Sequence, residues 1–406
     1  MKVTLVNHSD TLGGASVVTV RLLDALRRAG VDARMVVVHK ASLRSYVSQA
    51  GSAFSRKMAF LAEHARIFAN NGFSYGNVFK VSIATAGLPL ASHPWIKDAD
   101  IVCLNWVNQG MLSIKGIEKI AAPIVWTMHD MWNMTGICHH AGDCKAFLMR
   151  CGLCPQLGSG ARPDDISRRC FFAKEALYKK KNIHFVAVSN WLHDLCVQSP
   201  AMEGCDISVI PNAFPVGDFY TSPREPRFNL GLPAGPLVTM GAARLDDPIK
   251  GLDLAVEALN RLVNTNVKAV FFGALRDKQA LGSLRIPYVH LGPLPQDKIA
   301  EILAHSSVVL SSSHYETLPG TLVECLAAGA YPVAFDHGGQ RDIVDHLSTG
   351  YLARYADTAD LAKGIQTGIA SAPDRERRHR VVAERFDSDV IARRYIDLFN
   401  SILSQK

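Results

Sequence analysis

The stretch Val308-Val309-Leu310-Ser311-Ser312-Ser313-His314-Tyr315-Glu316-Thr317-Leu318-Pro319-Gly320-Thr321-Leu322-Val323-Glu324 decides how this chain reads. Residues 308–310 are an apolar run of strand length, and 321–328 carry the periodicity of an amphipathic helix. The segment predicts a strand, a polar turn with Pro319-Gly320, and a helix. Glu316 lies in the turn and Glu324, after seven intervening residues, in the opening turns of the helix. Ligands of open α/β sheets bind outside the carboxyl ends of strands, against helix N-termini. Two carboxylates there suit the hydroxyls of a sugar or ribose, and the backbone N–H groups between them suit a phosphate or sugar oxygen. The plain alternative is a solvated helix face with two glutamates. The strand before it, the glycine, and the small residues Ala327-Ala328-Gly329 argue for a binding turn.

The same alternation extends outward. Residues 237–240, 267–272, 288–291 and 332–335 read as strands, with amphipathic stretches at 251–263, 296–305 and 360–370. In the first half, 3–6, 35–38, 101–104, 124–128 and 185–188 are strand-like. Gly13-Gly14-Ala15 follows the first of these, and Val17, Val20, Leu22, Leu23 and Leu26 recur at helical spacing up to Gly30. Strands separated by helical patterns imply parallel sheets with helices on both faces. One core rarely grows past roughly 250–300 residues, so a chain of 406 is expected to form two α/β domains. They are read as 1–205 and 206–388, the second opening on a strand at 207–210. Residues 212–235, with Pro215, Pro223, Pro226 and Pro233, read as linker or loop. An amphipathic helix over 389–406 presents Ile391, Tyr395, Leu398, Phe399 and Ile402 on one face.

A second motif, Gly241-Ala242-Ala243-Arg244-Leu245-Asp246-Asp247-Pro248-Ile249-Lys250-Gly251-Leu252-Asp253, follows the strand at 237–240. It sets Arg244 and Lys250 on a loop at a strand's carboxyl end. Two fixed cations there can neutralise a diphosphate leaving group as its charge develops. Taken alone, the pair reads equally well as two surface cations.

Arg244, Lys250, Glu316 and Glu324 together resemble the retaining glycosyltransferases of family four. The resemblance implies the GT-B fold: two Rossmann-like domains facing across a cleft, with the C-terminal helix returning to the first. It implies that Arg244 and Lys250 grip the diphosphate of a nucleotide-sugar donor (UDP- or GDP-linked), Glu324 the ribose and Glu316 the donor sugar. Thr317, Leu318, Pro319, Gly320 and Thr321 would line the same donor site, and the backbone near Leu291–Leu294 would meet the base. In the first domain Gly14 matches the family's glycine-rich turn. His129, in Val125-Trp126-Thr127-Met128-His129-Asp130, matches its histidine after a buried strand. Ala213 stands where the family usually has glycine. The segments Leu104-Asn105-Trp106-Val107-Asn108-Gln109-Gly110, His129-Asp130-Met131-Trp132-Asn133-Met134-Thr135-Gly136-Ile137-Cys138 and Cys151-Gly152-Leu153-Cys154-Pro155-Gln156-Leu157 are similar to the bacterial exopolysaccharide, colanic-acid-type subgroup. That implies a lipid-linked saccharide acceptor and work at the cytoplasmic face of the inner membrane. Catalysis would need no metal, since Arg244 and Lys250 meet the leaving group's charge.

Composition narrows the rivals. With 48% hydrophobic and 20% charged residues the chain is neither disordered nor collagen-like, and no apolar run reaches the ~18 residues of a membrane span. Of 44 Lys+Arg and 37 Asp+Glu, residues 1–205 hold 23 and 14, a net of +9, and residues 206–406 hold 21 and 23, a net of −2. A basic half points to an anionic partner. Nine of its cations fall in 145–181, interleaved with Phe171, Phe172, Leu177 and Tyr178, which suits an anionic membrane surface; a solvated helix is the plain alternative. No base-stacking or groove-reading module is evident, so nucleic acid is not an expected partner. Nine cysteines, an odd count, with no signal-like apolar segment at Met1–Asn7 suggest reduced thiols in the cytoplasm. Cys138, Cys144, Cys151 and Cys154 fall in a basic insert at about 138–181 and could hold a structural zinc, with His139 and His140 as substitutes; ordinary thiols or a disulfide are the alternatives. Asp98-Ala99-Asp100 and Asp387-Ser388-Asp389 do not follow strands and are discounted as diphosphate-metal motifs. A nucleotide-sugar 2-epimerase on the same fold, and a basic zinc- or nucleic-acid-binding protein, are the alternative functions.

Overall fold

The structure, a computed structural model, describes residues 1–371 and 374–405. The chain divides into two units, Met1–Ala213 with Ile391–Lys406, and Phe214–Val390.

In the first unit β1 (Lys2–Ser9), β2 (Asp32–His39), β3 (Val47–Gln49), β4 (Ile101–Leu104), β5 (Ile124–Met128), β6 (Ile183–Ala187) and β7 (Asp206–Val209) form one parallel sheet in the order β3-β2-β1-β4-β5-β6-β7. Its helices are α1 (Gly14–Arg28), α2 (Ala53–Asn70), α3 (Pro94–Lys97), α4 (Ile114–Glu118), α5 (Ile166–Lys180) and α6 (Asn190–Cys196). The strand at 207–210, expected to open the second domain, is instead β7, the edge of the first sheet. It pairs with β6 from His184↔Asp206 to Ala187↔Val209, and α6 supplies the crossover that a parallel pair requires.

The second unit holds β8 (Leu237–Arg244), β9 (Lys268–Ala274), β10 (Tyr288–His290), β11 (Val308–Ser311), β12 (Tyr331–Phe335) and β13 (Tyr351–Ala353), parallel in the order β10-β9-β8-β11-β12-β13. Around them lie α7 (Leu252–Asn260), α8 (Gln296–His305), α9 (Gly320–Ala327), α10 (Thr358–Ala370) and α11 (Arg375–Phe386). The last helix, α12 (Ser388–Ser404), leaves this unit and joins the first, as expected. Ile391, Ala392, Tyr395 and Phe399 are buried with Val20, Leu23 and Leu26 of α1 and Val3 and Leu5 of β1. Each large side chain so buried stabilises the unit by about 1.5–3 kcal/mol. Tyr395 Oη also meets Thr127 Oγ1 at 2.9 Å.

Both sheets reverse their strand order once, between β1 and β4 and between β8 and β11. Such switch points open a crevice at the carboxyl ends of the strands, where ligands bind.

The basic segment at 145–181 does not form the aromatic and basic face expected of it. Cys170, Phe171, Lys174, Leu177 and Tyr178 recur at helical spacing on the buried side of α5, so most of its aromatic surface is core. Lys174 is fully buried, its Nζ donating to the Trp132 carbonyl and lying 3.9 Å from the centre of the Trp132 ring. Burial pushes its ammonium down to about 8. Arg150 and Lys179 pair with Glu175, and Lys180 with Glu118.

Candidate active site

In the second unit the loops leaving β8 and β11 carry the predicted side chains. Arg244 ends β8, with Nη2 2.9 Å from Asp247 Oδ2 and Nε 3.7 Å from Asp246 Oδ1. Asp246 also accepts the N–H groups of Asp277 and Arg276 at 2.9 and 3.0 Å, which hold its carboxyl below the usual range. Lys250 closes a short turn, Pro248–Lys250, and Gly251 at φ 59° leads into α7. A Cβ on Gly251 would sit 2.2 Å from the Ser312 carbonyl oxygen. That closeness lays one loop on the other: Ser312 Oγ donates to the carbonyls of Lys250 and Gly251 at 3.0 and 2.7 Å, and His314 N–H to Ile249 at 2.8 Å. Lys250 Nζ thereby reaches Glu316 Oε1 at 2.5 Å, and Ser313 Oγ donates to the same oxygen at 3.0 Å. The Glu316 carbonyl accepts Gly339 N–H at 2.9 Å. Both cations therefore already hold carboxylates of neighbouring loop residues, which their spacing in sequence did not reveal.

Thr317 and Leu318 continue this loop, with Leu318 buried. Pro319 precedes α9, which opens on Gly320 and Thr321 with no side-chain cap and no acid in its first turn. A side chain at Gly320 would press on the Phe214 ring, 3.1 Å away. Glu324 is half-buried within α9. Leu294 is half-buried, its side chain packed against the cluster of Leu232, Leu237, Val270 and Ile302.

The first unit's switch point is built differently. Gly13, at φ 88°, turns the chain from β1 into α1, whose first residue Gly14 is exposed and has open space where a Cβ would lie. Gly14 belongs to this unit, whereas Arg244, Lys250, Glu316 and Glu324 belong to the other. His129 follows β5. Asn105 Nδ2 donates to the Cys103 carbonyl at 3.3 Å, so its Oδ1 accepts from His129 Nε2 at 3.0 Å. Burial pushes the His129 imidazole down to about 4, with Asp130 pulling weakly the other way; the ring is neutral at pH 7. Asp130 Oδ2 accepts Trp106 Nε1–H at 2.9 Å and pairs with His139 Nδ1 at 2.7 Å, while Oδ1 accepts Trp132 N–H at 2.8 Å. Burial alone would raise this carboxyl, but His139 and these bonds hold it at about 2. His139 Nε2 meets Ser82 Oγ at 3.0 Å. Asn7 Oδ1 accepts the Trp106 backbone N–H at 3.0 Å, and the His8 backbone N–H donates to the Trp106 carbonyl at 2.8 Å; the His8 imidazole is pushed down to about 4 by burial and by His39. Of this network the sequence singled out His129 as a site residue and His139 as a substitute zinc ligand. The others that lie at or just past strand ends, Asn7, His8, Asn105, Trp106 and Asp130, were open to the strand-end rule that found Glu316.

The four clustered cysteines line one small cavity with Thr135, Phe147 and Ser167. The thiols of Cys138 and Cys154 hydrogen-bond to each other, and Cys151 Sγ accepts the Gly136 N–H. Arg150, Cys151, Gly152 and Leu153 all adopt positive φ (64°, 57°, 103° and 48°). Among the described residues no three His, Cys, Asp or Glu side chains are set to hold a metal ion. The zinc expectation thus gains no support from the geometry, and His139 is engaged by Asp130. Asp98 pairs with Lys2 and Arg34 at 2.9 and 3.3 Å, and Asp100 accepts the Lys2 backbone N–H at 2.7 Å.

Known proteins resemble this chain in two ways. A synthase of N-acetyl-alpha-D-glucosaminyl L-malate from Bacillus anthracis is 32% identical over 112 residues, 27% of this chain and 29% of that protein. A 2-deoxystreptamine glucosyltransferase from Streptomyces kanamyceticus is 28% identical over 173 residues, 39% of this chain and 44% of that protein. The chain thus spans less than half the length of both curated relatives. Among solved structures, Anabaena Alr3699/HepE in complex with UDP aligns with a TM-score of 0.66 at 18% identity, covering 99% of this chain and all (100%) of that one. The sucrose-phosphate synthase of Thermosynechococcus elongatus aligns at 0.69 and 16%, covering 100% of both chains. At such identities the likeness speaks for the fold, and the fold is GT-B. Residues 224–384, the segment that carries Arg244, Lys250, Glu316 and Glu324, match the family described as glycosyl transferases group 1.

Proposed function

We propose that the chain is a retaining, metal-independent glycosyltransferase. It moves a sugar from a UDP- or GDP-linked donor to a lipid-linked saccharide in bacterial surface-polysaccharide assembly, at the cytoplasmic face of the membrane. The observation that carries this is that Arg244 and the Lys250–Glu316 pair, with the α9 turn, stand on the loops leaving β8 and β11 at the switch point of the second unit. UDP is favoured because a protein of the same fold, Anabaena Alr3699/HepE, is solved with UDP and with UDP-glucose.

The donor's diphosphate takes the place of Asp247 and Glu316 as the partner of Arg244 and Lys250. The exchange releases Glu316 toward the donor sugar, while Glu324 holds the ribose. As the bond from the sugar's anomeric carbon to the diphosphate breaks, Arg244 and Lys250 balance the charge left on the phosphate oxygens. The acceptor oxygen bonds to the anomeric carbon on the face the leaving group departs from, and its proton passes to a donor phosphate oxygen. His129, neutral, orients the sugar and does not act as the base.

Arg244→Ala and Glu324→Ala are each expected to lower transfer by about a hundredfold or more while the UDP-free proteins keep their melting temperature. Near-normal transfer by either variant overturns the assignment. A rearranged sugar formed from UDP-sugar or GDP-sugar without acceptor identifies a 2-epimerase instead.

A further inference from the structure

Helix α2 faces the wrong way for a helix of a water-soluble domain. It buries Ala59, Glu63, His64 and Ile67 and turns Phe54, Met58 and Leu61 outward, with Phe54 75% exposed. These positions, continued by Ala65, repeat at helical spacing and form one stripe. The segment after the helix enlarges it with Phe73, Tyr75 and Phe79, which are 70%, 80% and 70% exposed. The rings form two groups along it: Phe68 lies 5.5 Å from Phe73 and 4.6 Å from Tyr75, and Phe79 lies 4.9 Å from His64 and 6.4 Å from Phe60.

Charge says what this surface meets. From residue 40 to 80 the chain carries Lys40, Arg44, Arg56, Lys57, Arg66 and Lys80 against one acid, Glu63. That acid is buried and accepts the N–H groups of Ile83, Ala84 and Thr85 at 2.7, 2.8 and 3.3 Å. Arg44 is held by Asp24 of α1, and α2 with residues 71–80 offers aromatic and aliphatic side chains beside Lys57, Arg66 and Lys80, with Glu63 their only acid. Protein interfaces are depleted in lysine. An outward apolar stripe with basic flanks is instead what inserts at the boundary of headgroups and acyl chains of an anionic bilayer.

We infer that α2 and residues 71–80 form a docking surface for an anionic lipid bilayer, entered by Phe54, Met58, Leu61, Phe73, Tyr75 and Phe79 and flanked by Lys57, Arg66 and Lys80. This surface replaces the segment at 145–181 as the membrane-facing one. It deepens the reading of a lipid-linked acceptor and gains its purpose from it. Vesicle binding is measured without donor or acceptor, so the two fail separately.

The test is flotation of the full chain with vesicles of phosphatidylcholine alone or mixed in equal parts with phosphatidylglycerol, at low and high sodium chloride. The wild-type chain is expected to float with the anionic vesicles, less so at high salt, and to stay behind with the neutral ones. A Phe54→Ser/Phe73→Ser/Phe79→Ser variant and a Lys57→Glu/Lys80→Glu variant are each expected to lose roughly tenfold or more in partition. Both should keep the wild-type thermal shift with UDP, which reports the fold. Leu43→Ser, fully exposed and outside α2, should float like wild type. No preference for anionic vesicles, wild-type flotation of both multiple variants, or self-association through this face without vesicle binding each overturns the inference.

Discussion

The two strand-order reversals occupy the same place in their sheets and are built in opposite ways. At β1/β4, Asn105, Asp130, His139 and Ser82 are buried and hydrogen-bonded to one another or to neighbouring indole and backbone groups. At β8/β11, Arg244 and Lys250 are 35% and 27% exposed along their side chains and hold carboxylates as ion pairs. Rearranging the first would strand buried polar groups at about 1–3 kcal/mol each. Rearranging the second costs less, because ion pairs that reach solvent contribute little, about 0–1 kcal/mol when fully exposed. The first is a fixed surface; the second can exchange a carboxylate for another anion and take it back, as repeated binding and release of a diphosphate requires.

Asp130→Ala set beside Arg244→Ala would break this contrast most directly. The first strands Trp106 Nε1, Trp132 N–H and His139, so urea unfolding should show a loss of about 3–5 kcal/mol. The second should stay within about 1 kcal/mol of wild type in unfolding while losing transfer. Equal stability losses would erase the distinction.

Acid sharpens it next. His8 and His129 are held at about 4 against an ordinary value of 6.5, with Asp130, His39 and His139 around them. Between those pH values the unfolded chain takes up protons that the folded chain refuses. Stability is full above pH 6.5 and falls as pH drops toward 4, by up to about 3 kcal/mol per imidazole. Asp130, held low, adds its own loss only below about 3.8. His129→Gln should flatten the slope of unfolding free energy against pH in that window; an unchanged slope would mean His129 does not contribute. The smallest effect is expected from Ser313→Ala, which removes one hydrogen bond from Glu316. It should change donor KM by a few-fold, about 1 kcal/mol, and leave unfolding unaltered.

Much of this was legible before any coordinates. β4 and β5 coincide with apolar runs at 101–104 and 124–128 because strands buried on both faces are nearly continuous in Val and Ile. Glu316 was found from its place after a strand. Two kinds of feature were not legible. Partnerships such as Lys250 with Glu316 depend on loops 66 residues apart being laid together by Ser312 and Gly251. And α2 defeats a pattern reader, because its apolar stripe points outward and its one acid inward. The four cysteines, singled out by spacing, are gathered around one small cavity, where the Cys138 and Cys154 thiols hydrogen-bond to each other.

The return of α12 to the first unit has a consequence for the order of assembly. Ile391, Tyr395 and Phe399 complete a core whose other members lie mostly between Val3 and Val125. On the ribosome the earlier unit therefore waits, its α1 and β1 surfaces uncovered, until the whole second unit has been synthesised, while Phe214–Val390 can fold as soon as it emerges. The half translated first is the half finished last. During that interval the surfaces of α1 and β1 that α12 covers stay open.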